Sequence, residues 1–253
     1  MDQLKAEQRL TIIYVLTSIF GAVASITSGI AWGHWKQTLD QCIGRNCSCI
    51  LFGEHTPSKF LGGSNGYCIW VTFGPLFLVF FCVGLTCFHG YRVLFSSRAP
   101  PSRKTRSVVA KLEPGENVLI TAVSQESTSP LPRAYWIIVA VFSVISTIYA
   151  IIHFSVFVQG FYKTCNQYRL ELENKFPVGG SALPVIHGRL SCQGIFDFMD
   201  YFEMDSGNAY RGGFINTGLD LILGIIGAAF TWMLFLLASY INIKMVQASG
   251  HEE

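Results

Sequence analysis

Charge is scarce in this sequence. Lys, Arg, Asp and Glu make up 13% of its 253 residues, about half the share of a soluble domain. The formal net charge is only +2, and without a clustered basic stripe there is no surface suited to nucleic acid. Also missing are a Gly-rich phosphate loop, an HExxH helix, a GxSxG elbow and a dinucleotide fingerprint. The expectation is a protein that is not an enzyme and that needs no cofactor or metal. Apolar length is what the chain has instead: 51% of its residues are hydrophobic and its mean hydropathy is +0.40. Its first partner is therefore the lipid bilayer.

A helix that crosses lipid needs about 20 mostly apolar residues, because hydrocarbon offers no partner to an unpaired backbone group. Four stretches qualify: Leu10 to Trp32, Ile69 to Leu94, Ala134 to Val158, and Thr217 to Ile241. Trp32, Trp70, Tyr135, Trp136 and Tyr240 fall near their ends, where aromatic belts sit. The sequence thus predicts an all-α membrane protein, a four-transmembrane-helix bundle forming a single tetraspan domain over 1–253. A competing reading makes residues 1–24 a cleaved signal, with Ala22-Val23-Ala24 as the peptidase site. The apolar run continues unbroken to Trp32, longer than a signal core.

Basic residues orient the chain. Arg98, Arg103, Lys104, Arg106, Lys111 and Arg133 lie in the middle connection (95–133), Arg92 stands just before it, and Lys5, Arg9 and Lys244 flank the outer spans on the same face. The positive-inside rule puts that face, with both termini, in the cytoplasm. Cysteine usage agrees. Cys42, Cys47, Cys49 and Cys68 fall in the first connection (33–68), Cys165 and Cys192 in the third (159–216), and none in the middle one. An oxidising extracellular face has that distribution, and two disulfide-stabilised extracellular loops are expected. The sequon Asn46-Cys47-Ser48 lies on the same face and makes Asn46 a glycosylation candidate.

Cys49 and Cys68 bracket a segment dense in glycine, and closing it would remove about 3 kcal/mol of unfolded-state freedom. The preferred set is Cys49 with Cys68 and Cys165 with Cys192. Cys42 and Cys47 pair with one another or reach the third loop; sequence does not choose among the connectivities six cysteines permit. A zinc or redox site is disfavoured on an exofacial loop. Cys82 and Cys87, inside the second span, read as small buried residues, with palmitoylation the alternative for Cys87.

Gly21, Ser25 and Gly29 recur every fourth residue, and Gly224 and Ala228 form a similar surface on the fourth span. Small side chains let another backbone approach closely, either within the bundle or from a partner's helix. An acid inside a span must find a partner or water, so a hydrogen bond between His153 and Asp220 is expected, with a proton relay as its functional alternative. In the third loop the run Phe196 to Asp205 spaces Asp197, Asp200 and Glu203 along one side of a helix, read as a solvated acidic face rather than a calcium loop. The middle connection is Pro/Ser-rich and basic. Its Arg103–Ser107 segment suits anionic lipid, and phosphorylation at Thr105 or Ser107 would weaken that attraction.

Some residues also carry a family likeness. The first span, Arg45 followed by Cys49-Ile50-Leu51-Phe52-Gly53, the Gly-rich stretch to Cys68, and a second span ending Tyr91-Arg92-Val93-Leu94-Phe95 resemble the tetraspan transmembrane protein 179 family. More loosely, Trp32 with Cys49 and Cys68 is similar to the first loop of claudin-like tetraspans, including the pasiflora-type proteins of septate junctions. The Gly-Leu-Trp signature of claudins proper is absent. The resemblance implies a non-enzymatic plasma-membrane component whose partners are other membrane proteins: junction components, further copies of itself, or a channel or receptor that it escorts.

Overall fold

The computed structural model describes residues 3–40, 42, 46–57, 59–98, 103–112, 116–125, 131–175, 190–202 and 215–249, with 95–98, 103–112, 116–125, 174–175 and 202 described by backbone alone. Four long helices dominate: α1 (Gln3–Leu39), α2 (Asn65–Arg98), α3 (Arg133–Lys175) and, after the short α4 (Cys192–Phe202), α5 (Thr217–Ser249). Each contains an apolar window long enough to cross a membrane, so the chain is a multi-pass membrane protein. Their outward faces carry large apolar side chains, such as Phe80 at 73% and Ile138 at 69% exposure. Water would penalise such a surface heavily, whereas acyl chains match it.

Helix α1 lies between α2 and α5, and α3 packs along α5, while α2 and α3 meet at only a few points. Two apolar cores stack along the bundle. One gathers Trp35, Phe157, Phe161, Tyr168 and Phe196 at the cysteine-bearing end. The other gathers Leu10, Tyr14, Leu78, Trp136 and Phe235 at the opposite end.

The helices outrun the spans read from hydropathy. Helix α3 has 43 residues, which at 1.5 Å rise is about 64 Å, twice the thickness of a hydrocarbon core. Its extension beyond Val158 was expected to be loop. Hydropathy reports the solvent around a helix and not the backbone conformation. With no proline between Gln159 and Lys175, the helix continues out of the apolar zone.

Two antiparallel hairpins were not anticipated. Strands β1 (Cys49–His55) and β2 (Phe60–Gly63) occupy the first connection. Strands β3 (Arg103–Leu112) and β4 (Glu116–Gln125) pair in continuous register from Arg103 with Gln125 to Leu112 with Glu116. Among the Pro/Ser and basic residues of 95–133 stand Val108, Val109, Val118, Ile120 and Val123, β-branched residues that favour a pleated pair. Thr105 and Ser107 lie on β3, and their side chains are outside the described residues. So are Arg45 and residues 203–205.

Candidate functional site

Three disulfides staple the cysteine-bearing end into a headpiece: Cys42–Cys47, Cys49–Cys68 and Cys165–Cys192. The last ties the projecting part of α3 to the first residue of α4. Strand β1 lies against that same projection. Thr164 Oγ1 donates to the carbonyl of Ile50 (2.8 Å) and accepts from the amide of Gly53 (2.9 Å). Gln167 Oε1 accepts the His55 amide at 3.1 Å, and Glu171 Oε2 lies 2.6 Å from His55 Nδ1. Each bond satisfies a backbone or side-chain group that a two-stranded sheet would leave open. An exposed ion pair, Lys163 to Glu54 at 2.8 Å, adds little.

Between Cys49 and Glu54 the ladder is irregular, and Phe52 adopts φ 58°, a left-handed conformation unusual for a bulky residue. The turn places the Phe52 ring on Tyr67, 4.2 Å between centroids, and against Gly160 of α3. A Cβ at Gly160 would come within 2.8 Å of that ring, so the strand seats this deeply only because α3 has no side chain there. Backbone strain of this kind persists only where the surroundings over-determine it.

The acidic run divides. Asp197 is exposed, but Asp200 is buried and faces the start of α5, accepting from the Thr217 amide (2.8 Å) and hydroxyl (2.5 Å). Trp35 Nε1 donates to the same hydroxyl at 2.7 Å. The expected single solvated face is therefore corrected. A carboxylate is better placed at the positive end of a helix, where unpaired amides await an acceptor. Asn216 completes that terminus, its Oδ1 accepting the Leu219 amide at 2.8 Å.

The small-residue faces are occupied within the bundle. Gly21 and Gly29 lie against Val79 and Thr72 of α2, Gly224 lies against Phe157 of α3 and Thr27 of α1, and Ala228 is buried in the cysteine-end core. Ser25 donates to the backbone carbonyl of Thr72. Pro75 stands inside α2, three residues further on. Proline has no N–H, so the carbonyl of Val71, four residues earlier, loses its intrahelical donor, and the ring distorts the turn around it.

His153 fills that gap. Its Nε2 lies 3.0 Å from the Val71 carbonyl, and since a carbonyl only accepts, Nε2 carries the proton. The expected His153–Asp220 pair is not formed. On the antiparallel α3–α5 register, Thr147 meets Ser239 and Phe157 meets Gly224. His153 is then level with residues near Phe230, roughly ten residues or about 15 Å along the axis from Asp220. Asp220 sits instead in the first turn of α5.

A double-mutant cycle tests this account. Pro75→Ala supplies the missing amide, so His153→Phe is expected to destabilise the Pro75→Ala protein less than the parent, with a coupling of about 0.5–1.5 kcal/mol. Equal penalties in both backgrounds, read by unfolding in detergent, would refute it.

The opposite end holds a buried ionic cluster that the sequence reading did not find. Arg92 donates from both its Nε and a terminal nitrogen to the two carboxylate oxygens of Glu7, at 3.0 and 3.3 Å, and Gln3 adds a third bond at 2.8 Å. Fully buried His89 stacks on Tyr14 and Trp136, 3.1 Å from the Tyr135 hydroxyl through Nε2 and 3.9 Å from Glu7 through Nδ1. One helix deeper, Asn242 donates to Tyr14 (3.1 Å) and Ser143 (2.9 Å). These bonds clamp α1, α2, α3 and α5 together. In the sequence Arg92 serves as a topology signal and as part of the family likeness; its distance from Glu7 along the chain conceals the pairing.

Of the remaining candidates, Cys82 is buried and Cys87 exposed, both as free thiols, and Asn46 is exposed. Among the described residues no three His, Cys, Asp or Glu side chains converge to hold a metal. No protein-family model, curated protein or solved structure matches the chain.

Proposed function

We propose that this chain is a non-enzymatic structural tetraspan of the plasma membrane, a component of a septate-type cell–cell junction that contributes to a paracellular barrier. Both termini and the 95–133 connection face the cytoplasm in this reading, and the stapled headpiece faces the space between cells. One observation carries it. Three disulfides stiffen the headpiece, one of them joining α4 to the α3 post, and a row of hydrogen bonds holds β1 against that post, the build of a pre-organised contact surface. The resemblance over Arg45–Phe95 points the same way.

A C-terminally tagged copy is expected to concentrate at lateral membranes of a polarised epithelium, and removal of the protein to let a small dye leak between cells. An unchanged barrier after complete removal would overturn the proposal.

The second reading is an accessory subunit of a channel or receptor. Gly21, Ser25 and Gly29 no longer support it, since α2 covers them. What favours it is the outward aromatic ridge Phe73, Phe77 and Phe80 on α2, exposed by 54%, 60% and 73%. A channel recovered in stoichiometric amount after mild detergent extraction, and released by substitutions along that ridge, would favour this reading over the first.

A further inference from the structure

The sequon Asn46-Cys47-Ser48 is accounted for by neither the bundle nor the headpiece, and its geometry is informative. Asn46 is exposed, whereas Ser48 is fully buried. The Asn46 Oδ1 accepts from the Ser48 hydroxyl (2.8 Å) and amide (3.4 Å), so one side of the Asn46 amide faces its own chain. The other side, Nδ2, has no partner among the described residues. A glycan on Nδ2 would therefore stand in solvent and disturb no contact.

The groups an enzyme must read are nonetheless committed. The Ser48 hydroxyl also lies 3.0 Å from Asn65 Oδ1, the Asn65 amide donates to the Asn46 carbonyl (3.4 Å), and the Cys47 amide donates to Asp40 Oδ1 (3.2 Å). Cys47, the middle residue of the sequon, is bonded to Cys42. Acceptor function depends on the Ser hydroxyl two residues on, and the folded loop hides that hydroxyl.

We infer that Asn46 is an N-glycosylation site that accepts its glycan only before the Cys42–Cys47 bond closes and Asn46 and Ser48 dock on Asn65. The inference rests on the reading that this end of the bundle lies in the secretory lumen. In the transfer step Nδ2 attacks C1 of a lipid-pyrophosphate-linked oligosaccharide. The C1–Nδ2 bond forms and the C1–O bond to the pyrophosphate breaks; the bonding pair leaves with the lipid pyrophosphate, and the Nδ2 proton passes to a base. Closing Cys42–Cys47 is a separate step, giving two electrons and two protons to a disulfide-bearing oxidant of the lumen. Order between the two steps is thus a kinetic contest.

The test synthesises the full chain in cells depleted of the lipid-linked donor and then restores the donor. Molecules oxidised before restoration are expected to stay unmodified. Molecules held reduced by a membrane-permeable dithiol until restoration are expected to gain one glycosidase-sensitive glycan, several-fold more often, and Asn46→Gln to gain none. Equal modification of oxidised and reduced molecules would overturn the ordering. Tyr210→Thr in the Asn46→Gln background completes a sequon at Asn208 in the third connection. A glycan there, with none on Asn46 of the parent chain under either condition, would overturn the site. Leu119→Thr in the same background completes a sequon at Asn117 in the middle connection. A glycan at Asn117 but not at Asn208 would instead overturn the orientation on which the proposed function depends.

Discussion

Replacing Arg92 with alanine is expected to destabilise the protein by about 3–5 kcal/mol, because it leaves the Glu7 carboxylate buried with its principal counter-charge removed. The Glu7 side chain is 3% exposed and the guanidinium bridges both of its oxygens from α2. Gln3 lies on the same helix as Glu7 and supplies a neutral donor, which does not balance the charge. The origin of the effect is separable from mere loss of packing. Glu7→Gln combined with Arg92→Ala removes the charge itself and is expected to recover most of the loss. If the double variant unfolds in detergent as early as Arg92→Ala alone, the stranded carboxylate is not the cause.

The second large effect is at Gly63. A Cβ there would overlap the carbonyl oxygen of Leu51 in β1, and one at Gly62 the carbonyl of Cys47 just before β1, so the backbones approach too closely for a side chain at either position. Backbone cannot step aside as a flexible side chain can, and the neighbouring Cys49–Cys68 bond fixes the segment in place. Gly63→Ala is expected to cost about 3 kcal/mol. It would lift β1 from Thr164 and Gln167 and open the headpiece to protease. Gly33→Ala is the control: a Cβ there meets nothing within 4 Å, and the substitution in a helix is expected to stabilise by up to about 1 kcal/mol. Equal protease resistance of Gly63→Ala and the parent would show that the close approach is unnecessary.

Much of the bundle is legible in hydropathy, because a lipid-exposed helix must be apolar over a fixed length. The cysteines mark the stapled end for a similarly simple reason, since only a few segments lie outside the spans. Side-chain partners were less legible. His153 invited an acid as its partner, yet the group that required a donor was a backbone carbonyl, freed by a proline on another helix. The signal was present in the sequence as Pro75, in the middle of an apolar run. Asp200 was assigned to a water-facing stripe by helical spacing alone. Its burial depends on the start of α5 arriving beside it, a tertiary event that spacing within one helix does not encode. Glu7 and Arg92 illustrate the same point: each looks like a charge at a span boundary, and only the pairing of α1 with α2 brings them together.

The position of α1 between α2 and α5 bears on how the chain is assembled. One side of α1 closes against α2 soon after both have been made, through Gly21 and Ser25. Its other side is completed by the last helix, where Gly227 lies against the backbone of Phe20 and Ala24, Thr217 receives Trp35, and Asn242 reaches Tyr14. At ribosomal speeds of about 5–20 residues per second, the interval between the two helices is roughly 10–40 s. For that time the Tyr14 hydroxyl and Trp35 indole must find temporary satisfaction from lipid headgroups, water or the insertion machinery. A ribosome that stalls before α5 therefore releases a three-helix product with a polar flank turned to the bilayer, a form that membrane quality control can distinguish from the finished protein.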